Sequence, residues 1–442
     1  MKRYEAYKPS NLPWVAEIPS GWKISKNSQL FRESSELSEK GEEPLLSLSQ
    51  YTGISYKSNA AKIGMREADS KIGYRVIHED DIVMNIMLAW NGSTAVSPFD
   101  GIISPAYAVY RQRTALNPKY FHYLFRIPAI CSYFESNSTG LIKSRLRLYS
   151  DSFMRLFSIF PPREEQDQIV RYLDWQVSKI NRLIAAKRKE IDAIHDMEHL
   201  YIDHVFSEIA NQKTIRLKYL VEQFVDCPHE TPEYCKDGDY CVIRTADQDY
   251  GYLRSETLMY RLTESEYTNR IRRAPLNAGD IVYGREGERW GLACVIPESE
   301  KFCLGQRIMQ FVCNKQMVTP EYVMWALNSS YVRNQGILDT MGSTSPHVNI
   351  STIINFKIPY TSREHQHTLV SKIECTMQKY RQLCERIENE IQLLHDLRTR
   401  LISDVVTGQV DVRGIKVPDD EYINNEITEE EFEEESENNE EE

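Results

Sequence analysis

A long helical stretch with an apolar stripe occurs twice in this chain, and it constrains what the rest of the chain can fold into. Residues 163–206 and 363–406 align without a gap at a shift of 200 residues. Within each copy, apolar residues recur at steps of three and four positions, which places them on one face of a helix. One such helix cannot bury its stripe alone, so the second copy is its expected partner. The predicted helix-pairing seam consists of Leu173, Val177, Ile180, Ile184, Ile191, Ile194, Ile373, Met377, Tyr380, Ile387, Ile391 and Leu394.

The segments before the two helices also correspond to each other. Residues 280–282 repeat the Asp-Ile-Val sequence of residues 81–83. Asn-Pro at 117–118 and Thr-Pro at 319–320 both predict the start of a helix, with Asn or Thr as the N-cap and proline at the first helical position. Short β-like runs and turns surround these points. We therefore interpret the chain as a tandem duplication in which two α/β units are each followed by a long helix.

The expected fold class is α+β, with two tandem mixed α/β units that are separated and followed by the two long helices. The predicted segments are an N-terminal lead-in (1–22), the first α/β unit (23–162), the central helix (163–210), the second α/β unit (211–362), the C-terminal helix (363–407) and a C-terminal segment with an acidic tail (408–442). The two helices match each other better than the two units do. This predicts one shared role for the helices and related but different roles for the units.

The net charge of the chain is dominated by its last residues. The formal net charge is −12, but residues 418–442 carry 14 Asp and Glu and no Lys or Arg, so the remainder sums to +2. Such a like-charged segment with few apolar residues is expected to be a disordered acidic extension. Because the rest of the chain is nearly neutral, any affinity for nucleic acid must come from local groups of basic residues.

Cysteine usage and hydropathy indicate a cytoplasmic protein. The nine cysteines include no C-x-x-C pair. Their odd number favours free thiols in a reducing compartment. No apolar segment of a secretory signal follows Met1, and no run of 18 apolar residues occurs. We therefore expect no membrane association.

Five features of the sequence match a known family. They are the lead-in LPWVAEIPSGWK (12–23), the junction IFPPREEQDQIVRYLD (159–174), its counterpart IPYTSREHQHTLV (358–370), the helix end RLISDVVTGQVDVR (400–413) and the tandem layout. On these grounds the chain resembles the specificity subunit of type I restriction-modification systems (the HsdS family) over residues 10–414. It departs from the family pattern in two places, because residues 360–362 replace a proline-rich step and the acidic tail is longer than the pattern requires.

The resemblance implies a role in the restriction and modification of foreign DNA. Each α/β unit would be a target-recognition domain that reads one half of a bipartite site in double-stranded DNA. The helices would pair as an antiparallel coiled coil, set the spacer between the half-sites and dock two methyltransferase (modification) subunits, which a motor-nuclease (restriction) subunit joins. The chain itself would be non-catalytic and hold no metal or cofactor, since S-adenosylmethionine, ATP and Mg²⁺ are expected in the partner subunits.

Loop segments of both units carry the side chains that DNA reading requires. Arg, Asn, Gln, Ser and Thr donate and accept at base edges, and Lys and Arg bind phosphates. In the first unit the candidates are Ser49, Gln50, Tyr51, Asn91, Ser93, Thr94, Ser138, Lys143, Arg145 and Arg147. In the second unit they are Arg244, Thr245, Asp247, Arg285, Glu286, Arg289, Ser343, Thr344, Ser345 and His347. The pairs Arg145/Arg147 and Arg285/Arg289 are the strongest local positive patches.

One stretch of the central helix has the residue order of a zinc peptidase. Residues 195–199 read H-x-x-E-H, but the counterpart at 395–399 lacks the glutamate and the second histidine. We interpret the motif as part of the paired helix rather than as a metal site. Two alternatives stay open, a coiled-coil adaptor whose globular units bind protein and, less favoured, an enzyme built on this motif. A salt-dependent affinity for duplex DNA would separate DNA recognition from the adaptor.

Overall fold

The computed structural model describes residues 2–49, 53–57, 70–228, 230–272, 275–287, 289–297, 301–340 and 346–418. These residues form two compact units. The first contains the described residues up to Lys187 and from Asn389 onward, and the second spans Arg188–Glu388. Each unit therefore combines one α/β segment with a portion of both long helices. The predicted acidic tail lies outside the described residues from position 419 onward.

The first unit contains twelve strands and four short helices before the first long helix. The strands are β1 (Tyr7–Leu12), β2 (Val15–Pro19), β3 (Lys23–Lys26), β4 (Phe31–Glu33), β5 (Leu46–Ser49), β6 (Gly53–Tyr56), β7 (Arg75–Ile77), β8 (Ile82–Asn85), β9 (Thr94–Val96), β10 (Gly101–Ile103), β11 (Tyr107–Gln112) and β12 (Phe157–Phe160). The helices are α1 (Asn27–Leu30), α2 (Pro118–Leu124), α3 (Pro128–Ser136) and α4 (Ser150–Arg155). These counts refer to the described residues of the unit. The long helix α5 (Arg163–Ala210) follows.

The second unit continues from α5. Its strands are β13 (Thr214–Arg216), β14 (Val221–Asp226), β15 (Tyr240–Ile243), β16 (Arg261–Leu262), β17 (Ile281–Gly284), β18 (Ala293–Val295), β19 (Phe302–Leu304), β20 (Ile308–Cys313) and β21 (Lys357–Pro359). Its helices are α6 (Glu264–Arg270), α7 (Pro320–Asn328), α8 (Ser330–Arg333), α9 (Ile337–Thr340) and α10 (Ile350–Ile353), and the second long helix is α11 (Arg363–Val406).

The two units share one sheet topology. A four-stranded antiparallel sheet has the order β4-β11-β8-β9 in the first unit and β14-β20-β17-β18 in the second. In both, the central strands β8 and β17 are buried along their whole length, as expected for apolar runs covered on both faces. A smaller sheet joins the start of each α/β segment to its end, through β3 with β12 and β13 with β21. The equivalent order confirms the predicted α+β fold with a tandem repeat.

The helices α5 and α11 begin and end within one residue of the bounds predicted from the apolar period. In the first unit, Arg398 Nη1 donates to Asn181 Oδ1 at 2.8 Å, and Lys187 pairs with Glu390 at 3.0 Å. The residue number on one helix thus rises as that on the other falls, so the helices run antiparallel there. In the second unit, Ile202 of α5 and Ile373 of α11 belong to the same buried cluster.

Every residue of the predicted seam is buried or half-buried. Leu173, Ile180, Ile184, Ile194, Ile373, Met377 and Ile387 are buried, whereas Val177, Ile191, Tyr380, Ile391 and Leu394 are half-buried. The stripe also covers the α/β segment, because Leu173 belongs to the core cluster that contains Trp22 and Tyr120. The apolar face of each helix therefore packs against both the partner helix and the α/β segment before it.

A buried glutamine holds the start of each long helix. Gln166 Oε1 accepts from the Asn117 backbone N–H at 2.8 Å, and its Nε2 donates to the Pro161 carbonyl at 2.8 Å. Gln366 repeats this contact, accepting from the Thr319 N–H at 3.1 Å and donating to the Thr361 carbonyl at 2.9 Å. Both side chains sit inside their unit. The start of each long helix is thereby fixed to the N-terminus of the short helix that follows the sheet.

The predicted helix caps at these points are only half correct. Asn117 does cap α2, because its side chain accepts from the Lys119 N–H. Thr319 occupies the same place before α7, but its buried hydroxyl makes no cap hydrogen bond within the described residues. After α2 ends at Leu124, Pro128 opens the next helix, α3.

The lead-in packs on the segment that follows α11. The Tyr7 hydroxyl donates to the Gly408 carbonyl at 3.0 Å, and the Asp411 N–H donates to the Lys2 carbonyl at 2.9 Å. Gly408 has a φ of +73°, and a Cβ there would lie 2.4 Å from Pro19 Cδ. Only glycine fits that position. This contact explains the glycine in the V-V-T-G-Q sequence after the second helix.

Among the described residues, no helix could span a membrane. Neither long helix has a stretch that is apolar enough for its length to cross a bilayer, and the other helices are too short.

Candidate nucleic-acid interface

Two candidate loops of the first unit lie side by side. One follows β8 and contains Asn91, and the other joins α3 to α4 and contains Lys143. The Leu148 N–H donates to the Ile86 carbonyl at 2.8 Å, and the Lys143 ammonium lies 5.6 Å from the centre of the Trp90 ring. Because these contacts hold the loops together, the unit presents one continuous surface rather than two separate segments.

The basic residues of this surface differ in how far they are engaged. Lys143 is exposed and pairs with Glu135 at 3.5 Å. Arg147 is half-buried and contacts the Met87 sulfur at 3.7 Å. Arg145 is exposed, and no side chain within the described residues accepts from its guanidinium. Arg145 is therefore the side chain on this surface that is most available to a phosphate.

Several other first-unit candidates lie inside the unit. Ser93 and Thr94 are buried at the start of β9, and the Ser138 hydroxyl donates to the Phe134 carbonyl. Base contacts require atoms at the surface, which excludes the buried Ser93 and Thr94, whereas Ser138 is half-buried and stays a candidate. Ser49 is half-buried at the end of β5, and Asn91 is exposed. The predicted candidates Gln50, Tyr51, Ser343, Thr344 and Ser345 lie outside the described residues.

In the second unit, Arg285 lies at the centre of an ion-pair network. Its side chain is only 6% exposed and lies 3.2 Å from Asp226 and 2.9 Å from Glu286. His347 contacts the same Glu286 carboxylate at 3.1 Å. This network joins the loop after β17 to the segment before α10, as the corresponding contacts do in the first unit. Arg285 thus links these loops from inside the unit. The prediction that it forms part of a positive surface patch is wrong.

Arg244 is held in one orientation by two side chains of its own unit. Its Nε and Nη2 each donate to the buried Asp247 carboxylate at 3.0 Å, and its guanidinium stacks 3.8 Å from the centre of the Tyr260 ring. Burial lowers the pKa of Arg244, but the hydrogen bonds to Asp247 outweigh burial, and the net pKa is raised. A cation held in one plane loses little freedom when it binds a base edge.

The remaining second-unit candidates fall into two groups. Asp247 and Glu286 were predicted to contact DNA, but both are engaged with arginines of their own unit. Thr245 is half-buried in the turn before Asp247. Arg289 is partly exposed and donates to the Gln248 carbonyl at 2.6 Å. Among the predicted basic residues of this unit, Arg244 and Arg289 are therefore held by their own unit while part of each side chain, 22% and 40%, stays exposed.

Two exposed aliphatic residues in the first-unit loop were not predicted from the sequence. Leu141 is 102% exposed and Ile142 is 53% exposed, beside the basic residues already named. Their signal was present in the sequence as an adjacent Leu-Ile pair between Gly140 and Lys143, in a loop that is otherwise polar. Because leucine and isoleucine usually occupy buried core positions, the pair by itself does not indicate a surface role.

The H-x-x-E-H stretch belongs to the α5 surface in the second unit. Glu198 is buried, and burial raises the pKa of its carboxyl. The His199 ring lies 4.1 Å from the Tyr250 ring, and burial lowers the pKa of its imidazole, with Arg333 acting in the same direction. His195 is exposed. The histidine next to the glutamate is thus engaged with an aromatic side chain of the α/β segment.

Comparison with known proteins relates the chain to DNA specificity proteins. Residues 226–393 match the family model of the type I restriction modification DNA specificity domain. The type I restriction enzyme MjaVIII specificity subunit of Methanocaldococcus jannaschii is 21% identical over 364 residues, which cover 77% of this chain and 81% of that protein.

Two solved structures are similar to this chain. A chain from a study of complex assembly and conformational transition of the type I R-M system superimposes with a TM-score of 0.63 at 14% identity, covering 89% of this chain and 99% of that chain. The HsdS subunit from Thermoanaerobacter tengcongensis has a TM-score of 0.46 at 14% identity, covering 91% of this chain and 100% of that one. The first of these similarities shows a common fold.

Replacing both Arg145 and Arg147 with alanine is expected to weaken duplex DNA binding at every sequence. Each lost phosphate contact lowers the slope of log affinity against log salt by about 0.9, so the slope should fall by up to ~2. Binding to a short duplex across a salt series measures this. Arg155→Ala, which removes an exposed arginine of the same unit outside the loop, is the matched control. Unchanged affinity at low salt would remove the pair from the interface.

Proposed function

The chain is a DNA specificity subunit of the type I restriction-modification class, and from that premise we propose that each α/β unit reads one half of a bipartite site in double-stranded DNA. The observation that carries this proposal is the repeated sheet, β4-β11-β8-β9 and β14-β20-β17-β18, with different loops at equivalent places. A shared frame would place the loops of each unit against DNA in the same way. Differing loops would give differing half-sites.

The two units would use different chemistry to read their half-sites. The first presents Lys143, Arg145 and Arg147 on one loop, where a mobile cation can follow the phosphates. The second presents Arg244, which Asp247 and Tyr260 hold in a fixed plane that suits the O6 and N7 atoms of guanine. We expect the second half-site to contain a guanine opposite Arg244.

Subunits of this class recognise DNA and are not themselves catalytic. We therefore assign methyl transfer from S-adenosylmethionine to separate modification subunits, and ATP- and Mg²⁺-dependent cleavage to a motor-nuclease subunit. This chain would recognise the DNA site and bind the other subunits. The paired helices α5 and α11 would set the spacer between the half-sites, because a helix has a fixed rise per residue.

Each unit has an exposed apolar pair on its long helices, which suits a docking site for one modification subunit. In the first unit the pair is Leu183 and Leu397, and in the second it is Leu383 and Met197. The two pairs are equivalent at the 200-residue shift. Within the first unit, the Asn181–Arg398 hydrogen bond sets the two residues of the pair at the same level. Equivalent apolar pairs, one per unit, favour two copies of one partner.

Genome-wide mapping of adenine methylation tests DNA recognition directly. We expect a bipartite methylated motif in cells that produce this chain with its methyltransferase subunit, and not in cells that lack the chain. Exchange of residues 23–162 for the equivalent segment of a relative should change one half of the motif and leave the other. If the methyltransferase co-purifies with the chain and no motif appears, the chain is an adaptor and does not read DNA.

Replacing Leu183 and Leu397 with serine is expected to remove one of two bound modification subunits. Burial of a leucine side chain contributes about 1.5–3 kcal/mol, so the affinity of that site should fall by more than roughly tenfold. Native mass spectrometry of the assembled complex counts the copies. The same change at Leu383 and Met197 should remove the other copy, and Leu258→Ser, at an exposed leucine off the helices, should remove neither. Two copies retained by both double variants would contradict this placement.

A further inference from the structure

The loop of residues 139–147 carries two large apolar side chains in full view of solvent. Leu141 is 102% exposed and Ile142 is 53% exposed. Scattered exposed leucines are ordinary, but an adjacent pair at the end of a loop is a cost to solubility. An exposed apolar pair of this kind indicates a surface that contacts another molecule.

The backbone of this loop holds the apolar pair away from the unit. The Thr139 N–H donates to the Arg147 carbonyl at 2.9 Å, and the Arg147 N–H donates back to Thr139 at 3.0 Å. Inside this bridge, the Arg145 N–H donates to the Ile142 carbonyl at 2.9 Å. Gly140 has a φ of +155°, and a Cβ there would lie 2.6 Å from the Arg145 carbonyl oxygen. The loop is therefore closed on itself, and its tip cannot fold back without breaking these bonds.

The loop stands on a firm base. Leu148 is fully buried in the core of the first unit, and its N–H donates to the Ile86 carbonyl at 2.8 Å. Lys143 lies against the Trp90 ring. Because its base is anchored in the core, the loop can keep its shape when its tip contacts another molecule.

The charges around the tip identify the molecule. Lys143, Arg145 and Arg147 follow the apolar pair within five residues, and Lys143 and Arg145 are exposed. An apolar contact bordered by cations fits a surface in which apolar rings lie between lines of negative charge. The base stack of duplex DNA, flanked by its two phosphate backbones, has this pattern.

We propose that Leu141 and Ile142 form an apolar wedge that enters the base stack of the half-site read by the first unit. Lys143 and Arg145 would hold the phosphates on either side while the leucine and isoleucine separate a pair of neighbouring base pairs and kink the duplex. This inference rests on the proposed function and names the residues through which one unit performs it.

The wedge would make the two half-sites unlike in a second way. Pyrimidine–purine steps unstack most easily, so the first half-site should favour such a step at the wedge even where no side chain bonds to its bases. The equivalent segment of the second unit, residues 341–347, has the sequence MGSTSPH and contains no adjacent aliphatic pair. The exposed Ile337 and Leu338 of that unit lie in helix α9 and are followed by Asp339 rather than by basic residues, so the kink is expected in the first half-site.

The test uses the chain assembled with its modification subunits and a duplex that carries the mapped motif. The adenine analogue 2-aminopurine, placed in turn at positions of each half-site, reports unstacking by a rise in fluorescence. We expect a rise at one step of the first half-site on binding. The double variant Leu141→Ala and Ile142→Ala should abolish the rise and weaken binding by roughly tenfold or more, with the salt dependence unchanged.

Two controls separate the wedge from other roles of the loop. Leu37→Ala removes a leucine of the same unit that is 52% exposed elsewhere, and it should change nothing. Arg145→Ala should reduce the salt dependence and keep the fluorescence rise. Wild-type behaviour of the double variant, or its loss of modification subunits instead of DNA affinity, would overturn the wedge. Failure of the wild-type complex to prefer the mapped motif over other duplexes would overturn the proposed function itself.

Discussion

Two buried glutamines, Gln166 and Gln366, fasten each long helix to the α/β unit before it. Each accepts from a backbone N–H that opens a short helix and donates to a carbonyl at the end of the unit. A buried amide left without its partners costs about 1–3 kcal/mol, so each junction is specific as well as stable. Because the same tie occurs twice, both units are mounted on their helices in the same manner, and their loops emerge at equivalent places.

This arrangement separates a constant frame from variable loops. The frame consists of the repeated sheet, the glutamine ties and the apolar stripe, whose residues serve the partner helix and the preceding unit together. Each compact unit contains portions of both α5 and α11. A change in the stripe therefore affects a unit and the helix pair at once, whereas a loop such as residues 139–147 can change its sequence at little cost to the fold. A protein that must acquire new DNA sites while keeping its partners benefits from this division.

The sequence predicted the frame far better than the interface. The helices followed from the apolar period, and the duplication followed from one constant shift, since both are patterns within the chain. Whether an arginine is exposed or buried depends on partners that can be far away in the sequence. Arg285 is buried and paired with Asp226, which lies 59 residues before it. Arg145 has no such partner in the described residues. Thr319 holds the cap position without the cap bond, although its backbone N–H is bound by Gln366 just as that of the capping residue Asn117 is bound by Gln166.

Because the two α/β units are attached to their helices in the same way, each should recognise its half-site independently of the other. A chain in which a second copy of residues 23–162 replaces residues 211–362 tests this most directly, since Gln166, Gln366 and both long helices stay in place. Adenine methylation would be mapped in cells that produce this chain with the methyltransferase subunit. The account predicts a bipartite motif whose two halves are both the first half-site, in opposite orientations. Persistence of the original second half, or no motif from a folded chain that binds its modification subunits, would contradict it.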